Sequence, residues 1–172
     1  MLELLQLLQH TPLARIARAE VFLSDEAAAH LMYPTLILTP KTVTLSEEQI
    51  TQIEKSSGQS VREKTVKIFS AKSGESVVID RVLGKHEFIT YAVGIDPGGK
   101  IKQIEILEYK ETYGYEIKRA EWRKQFYGKG SDAKLKLTDD IQNISGATLS
   151  CKHVTDGVRR VLVTHEALKA SS

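Results

Sequence analysis

A single cysteine, Cys151, sets the first limit on what this chain can be. An internal disulfide needs two thiols and a cysteine-built metal site needs more than one, so both are excluded. Long apolar runs are missing as well: no stretch approaches the roughly 18 residues that cross a bilayer as a helix. Excess charge of one sign is absent, because 24 basic and 22 acidic residues are well mixed and leave a net charge of +2. Nothing there builds a basic face, so nucleic acid is not an expected partner. The five histidines (His10, His30, His86, His153 and His165) show no pair at zinc-ligand spacing with a third ligand nearby. What remains is an ordinary balance, 41% hydrophobic and 27% charged over 172 residues. That balance fits one globular domain with a short extra segment at the N-terminus, and gives no case for disorder.

The beginning of the chain has two readings. Ala17-Arg18-Ala19 before Glu20 resembles the small-x-small end of a secretory signal. The preceding leucine-rich stretch carries Glu3, Gln6, Gln9 and His10 and no early positive charge, which suits a short amphipathic helix better. Residues 25–31 look helical, and Pro34 and Pro40 are expected to break the chain after them. Ser46 with Gln49 three residues on is a capping pair, and Ile50 and Ile53 share a face of the helix it opens. Residues 1–60 are therefore expected to form an N-terminal helical extension, with a remnant export signal possible over 1–19, and residues 61–172 the main domain.

Four strands are expected next, over residues 65–70, 76–83, 87–95 and 101–106. Lys72-Ser73-Gly74 and Asp96-Pro97-Gly98-Gly99 are turns between them. Connections this short rule out crossover helices, so the strands must run antiparallel. Ile104 and Ile106 are expected to face the core. Residues 121–126 suggest a short helix. From Ser150 onward Val154, Val158, Val161, Leu162 and Leu168 recur at helical spacing, with Lys152, Asp156, Arg159, Arg160 and Lys169 on the other side. The expected fold class is α+β, a twisted antiparallel sheet packed by a long C-terminal helix.

The run Asn143-Ile144-Ser145-Gly146-Ala147-Thr148-Leu149-Ser150 ends where that helix begins. A helix start offers unpaired N–H groups and the positive end of the macrodipole, a setting that suits a phosphate. Upstream lies a second unusual segment: Glu111-Thr112-Tyr113-Gly114, then Trp122, Gln125-Phe126 and Gly128-Lys129. Together, in this order and at this spacing, the two segments resemble the motifs of the FMN-binding domain family. That family includes the flavin-carrying C subunit of the sodium-translocating NADH:quinone reductase and the G subunit of the Rnf complex. The resemblance covers about residues 65–168.

The resemblance implies FMN joined through its phosphate to the last threonine of the motif, here Thr148. A separate flavin transferase makes that bond from FAD and releases AMP. Ser145, Gly146, Ala147, Leu149 and Ser150 would surround the attachment point, and Glu111, Thr112, Gly114 and Trp122 would shape the flavin pocket. The function implied is electron transfer to redox partner proteins, some of them membrane-bound, on the periplasmic or extracytoplasmic face of the membrane. Gln142 stands where relatives usually carry an acidic residue, and Tyr113 where a proline is common. These departures keep two alternatives open: FMN held without a covalent bond, and a non-redox binding or assembly domain that has lost its flavin.

Each residue also has a plainer reading. Ser145 or Thr148 can simply cap the last helix, and Gly114 can be a turn glycine. Trp122 and Phe126, four apart, can be a core pair. Glu111 and Thr112 can bond the polar edge of a ring or sit at an exposed sheet end, and Tyr113 and Tyr115 can flank a ring or end a strand. His153 and Asp156 read more simply as surface residues than as an acid-base pair. Cys151 reads as a small buried side chain, although a helix N-terminus lowers a thiol's pKa.

Overall fold

The computed structural model of the chain describes residues 20–171. Both readings of residues 1–19 lie outside the described residues. Six strands make one antiparallel sheet with the spatial order β1-β6-β5-β4-β3-β2. They are β1 (Glu20–Val21), β2 (Thr39–Thr44), β3 (Thr65–Ser70), β4 (Ser76–Leu83), β5 (Phe88–Ile95) and β6 (Ile101–Tyr109). The helices are α1 (Asp25–Met32), α2 (Glu47–Ser57), α3 (Ala120–Lys124) and α4 (Thr148–Ala170), with a single tight turn of helix at Tyr115–Lys118 before α3. The α+β class expected from the sequence is the class observed.

Local chemistry explains most of the elements. Ser46 accepts from the Gln49 N–H at 3.2 Å while Gln49 Oε1 accepts from the Ser46 N–H at 2.9 Å, a complete capping box for α2. Short turns force consecutive strands to be neighbours, as in the Asp96 N–H to Lys100 C=O bond of 2.9 Å that closes β5 onto β6. Two features differ from expectation. Pro40 does not break the chain but lies within β2, opposite Phe69. As the outermost strand, β2 has a free side where a missing N–H interrupts no ladder. In addition, α4 starts at Thr148, two residues earlier than the apolar periodicity suggests. Thr148 and Leu149 are exposed, so burial leaves no periodic trace of that first turn.

Helix α4 covers one face of the sheet. Cys151, Val154, Val158, Val161 and Leu162 pack there with Val78, Tyr91, Val93, Ile104 and Ile106, all buried. On the opposite face Ala28, Ala29 and Met32 of α1 meet Phe69, Val77, Ala92 and Leu107. Gly157 allows α4 to come this close: a Cβ there would lie 2.2 Å from the Tyr91 hydroxyl and 2.6 Å from Val82 Cγ1. Beneath the helix the Tyr91 hydroxyl donates to Asp80 Oδ2 at 2.5 Å, and Arg160 meets the same oxygen at 2.7 Å. Burial first, and then the Asp80 charge, push the Tyr91 pKa well up, so the phenol stays protonated and can donate.

Arginines on α4 also hold the chain that leaves α2. Arg159 Nε donates to the Ser57 carbonyl at 2.8 Å, and Arg160 Nη1 donates to the Ser60 carbonyl at 3.1 Å. The segment before Thr65 is thus helical in part only, since β1 and β2 form the two edges of the sheet.

Candidate functional site

The site is built around the first turn of α4. Ala147 occupies the N-cap position and has no hydroxyl to offer, so no side chain caps the helix. The first helical bond runs from the Cys151 N–H to the Ala147 carbonyl at 2.9 Å. The N–H groups of Thr148, Leu149 and Ser150 are left with no acceptor among the described residues, which is the state that attracts an anion. Capping by Ser145 or Thr148 is therefore not the arrangement adopted. The Thr148 side chain is exposed, and its Oγ1 accepts from Asn143 Nδ2 at 2.9 Å. That bond fixes the oxygen while leaving the hydroxyl proton unused. Just before it, Gly146 holds a positive φ of 84°.

The Glu111–Gly114 loop lies against this helix start. The Tyr109 hydroxyl donates to the Tyr113 carbonyl and lies 2.9 Å from Ser150 Oγ, tying the end of β6, the loop and α4 into one unit. Burial raises the Tyr109 pKa, with the Ser150 hydrogen bond acting against it, so the proton this link needs stays in place. Gly114 is required by both of its circumstances: φ is 91°, and a Cβ would lie 2.7 Å from Ser150 Oγ. Loop and helix enclose a cleft of about 640 Å³, lined by Thr112, Tyr113, Gly146, Ala147, Thr148, Leu149 and Ser150 from the two motifs and by Lys85, His86 and Glu111. The Tyr113 side is 81% exposed and Leu149 45%, so the cleft carries an apolar rim open to solvent.

Other expected residues stand elsewhere. Glu111 lines the cleft, but its Oε1 accepts from the backbone N–H groups of His86 at 2.6 Å and Glu87 at 3.0 Å. It fastens the β4–β5 hairpin to the loop rather than offering that oxygen to a ligand. Gly114 sits behind the cleft wall, and Ser145 is exposed outside the lining. Trp122 is not in the cleft either: it is 3% exposed and meets Phe126 edge-on, with ring centroids 5.1 Å apart. Its indole N–H donates to the Gln142 carbonyl at 2.8 Å, while the Gln142 N–H donates to Gln125 Oε1 at 2.7 Å. The second motif thus grips the backbone three residues ahead of Ser145. This explains why two segments far apart in sequence occur together.

Sequence reading missed Lys85, His86 and Asn143. The first two come from a hairpin with no motif of its own, and Asn143 stood inside the motif run without a role assigned. Cys151 is buried, and burial raises its pKa above the ordinary thiol value despite the helix start, so it is a packing residue. Asp156 is paired with Lys152 at 2.6 Å and with Arg159 at 3.0 Å. His153 is half-buried rather than on the open surface, and its Nδ1 is buried without a partner among the described residues.

Residues 84–163 match the family model of the FMN-binding domain. This chain carries an FMN-binding domain. No curated protein matches it. The matched span contains both motifs, the hairpin residues Lys85 and His86, and α4 as far as Val163. The cleft suits FMN on three grounds. Its volume is in the range of small-molecule sites, roughly 300–1,000 Å³. Its floor presents uncapped N–H groups for a phosphate, a helix-start arrangement that contributes about 0.3–1 kcal/mol at an exposed site. Its opposite wall adds a lysine and a histidine. The FMN-binding domain supports a flavin-binding protein.

Proposed function

We propose that this chain is an electron-transfer flavoprotein whose FMN is esterified through its phosphate to Thr148. The observation that carries the reading is an exposed Thr148 hydroxyl, oriented by Asn143, on the first residue of a helix with no capping side chain. Attachment by a separate flavin transferase balances simply. The bond from Thr148 Oγ1 to the FMN phosphorus forms, the pyrophosphate bond of FAD breaks, AMP leaves, and the hydroxyl proton passes to the transferase. The N–H groups of Thr148, Leu149 and Ser150 would hold the remaining phosphate charge, and Lys85, which lines the same cleft, would add a cation. Bound FMN supplies one- and two-electron redox chemistry; the protein's part is to hold it and set its exposure. The apolar rim of Tyr113 and Leu149 leaves one side open for a redox partner protein, which a carrier needs. Work at the extracytoplasmic face of a membrane, with a membrane-bound partner, belongs to the same proposal. A second reading, FMN bound without the ester, is favoured by Gln142, whose exposed side chain gives a transferase an amide where relatives usually have a carboxylate.

Co-expression with a flavin transferase followed by denaturing electrophoresis tests the proposal. Flavin fluorescence that survives denaturation and is lost in Thr148→Ala is the expected result. Yellow protein that releases all its flavin on denaturation supports the second reading. Protein that takes up no flavin in either form refutes both.

A further inference from the structure

We propose a second ligand site, separate from the flavin cleft, that takes a small organic monoanion with an apolar body. It lies where the sheet splits. The β2–β3 ladder continues to Thr44↔Thr65 and the β4–β5 ladder to Leu83↔Phe88. Between them the β3–β4 ladder stops at Lys67↔Ile79. The two hairpins therefore diverge, and a cavity of about 590 Å³ opens between them, reaching to α4. Leu45, Val66, Val78, Phe88 and Val161 give it an apolar side, while threonines and charged side chains make up the rest of the lining. Most of it lies before residue 84 and so outside the span that matches the FMN-binding domain.

Two polar groups give the cavity its selectivity. Four cations and two anions line it, and all but one are matched. Arg81 pairs with Glu63, Arg160 with Asp80 at 2.7 Å, and Lys67 with Asp25 at 2.7 Å and Glu26 at 3.3 Å. Arg62 has no ion pair among the described residues. One unmatched guanidinium beside an apolar side calls for a single negative charge on a molecule with an apolar body. The second group is Thr164 on α4, only 6% exposed and lining the cavity, whose hydroxyl has no hydrogen-bond partner among the described residues. Although the residue is buried, its hydroxyl oxygen is not sealed from solvent, so a polar atom in the cavity can meet it. An extended peptide is disfavoured, because residues 60 and 61 are fastened over the split. Arg160 holds the Ser60 carbonyl, and the Val61 N–H donates to Glu54 Oε1 at 2.8 Å.

The test is titration of the full chain with 8-anilinonaphthalene-1-sulfonate, a probe with an aromatic body and one sulfonate, read by fluorescence and by calorimetry. Saturable binding at one site is expected. Arg62→Ala should weaken it at least tenfold; that side chain is exposed and has no ion pair among the described residues, so the described fold does not depend on it. Thr164→Val should weaken binding severalfold, and Val66→Trp should block it by filling the cavity. Thr148→Ala should leave it unchanged, as should Arg119→Ala, an exposed arginine away from the cavity. Absence of saturable binding overturns the proposal. So does equal weakening by Arg62→Ala and Arg119→Ala, which would mean simple attraction to surface charge, and so does displacement by FMN, which would put the probe in the flavin cleft. None of these results bears on whether flavin is attached at Thr148.

Discussion

Replacing Gly157 by alanine should destabilise the protein, although alanine is the better helix former by about 1 kcal/mol. The new methyl carbon would sit 2.2 Å from the Tyr91 hydroxyl oxygen and 2.6 Å from Val82 Cγ1. Ordinary carbon contacts lie at about 3.5–4.0 Å, so more than an ångström must be found. Val82 belongs to a paired strand, and Tyr91 is held by Asp80, which is held in turn by Arg160. Relief at both atoms needs α4 to lift from the sheet and the phenol to leave its carboxylate. Overpacking of this kind costs about 1–3 kcal/mol, and loss of a hydrogen bond to a charged group about 1.5–3 kcal/mol. Together these come to about 2.5–6 kcal/mol, and after the gain of about 1 kcal/mol in helix propensity a net loss of about 1.5–5 kcal/mol remains. At roughly 2–4 °C per kcal/mol for a chain of this size, the midpoint should fall by about 3–20 °C. Thermal unfolding followed by circular dichroism measures it, with urea titration as a second reading. Adding Tyr91→Phe removes the nearer of the two clashing atoms, so the double variant should recover at least about 1 kcal/mol over additivity. A Gly157→Ala protein as stable as the parent, or more stable, would refute the packing argument outright.

The remaining predictions concern the far end of α4 and the grip on the motif. His165 is buried with its Nε2 2.8 Å from Ser76 Oγ, and burial first, then Lys169, lowers its pKa below the ordinary imidazole value, with Glu166 opposing. Above a pH of about 6.5, the ordinary histidine value, both folded and unfolded states are neutral there and the full stability is present. As pH falls below that value the unfolded chain takes up a proton that the folded chain resists. Stability should therefore decline down to the folded pKa, and urea midpoints measured between pH 7 and 5 should fall less steeply in His165→Gln. Trp122→Phe keeps a ring against Phe126 but removes the donor to Gln142. It should cost about 1–3 kcal/mol in urea unfolding and lower the yield of covalent flavin, whereas an unchanged yield would deny Trp122 any part in placing the motif.

Much of the fold was legible because its signals are local. Ser46 and Gln49 announce α2, Asp96-Pro97-Gly98-Gly99 announces a hairpin, and the spacing of Val154, Val158, Val161 and Leu162 announces α4. Strand β2 was hidden because it is an exposed edge containing proline, so neither alternation nor a buried run marks it. The start of α4 was hidden for a related reason, since its first turn points into solvent. At the site, the sequence pointed to Thr148 and its neighbours. It could not separate residues that line the cleft from residues that hold them. Trp122 and Gly114 proved to be of the second kind. Lys85 and His86 carry no pattern at all, and only the pairing of β4 with β5 brings them opposite the helix. The same holds for Glu111, whose backbone partners in that hairpin lie about 25 positions upstream.

The position of Thr148 on α4 has a consequence for timing. The turn it opens exists because α4 is pressed on a sheet whose outer strands come from residues far upstream. A short isolated helix is only marginally stable in water. A peptide containing residues 143–150 would show the same side chains without three aligned, unoccupied N–H groups and without Asn143 set against the hydroxyl. Whatever modifies Thr148 by reading that arrangement must meet the chain after it has folded. Any cofactor fixed there would then report, molecule by molecule, on chains that had already reached the native state.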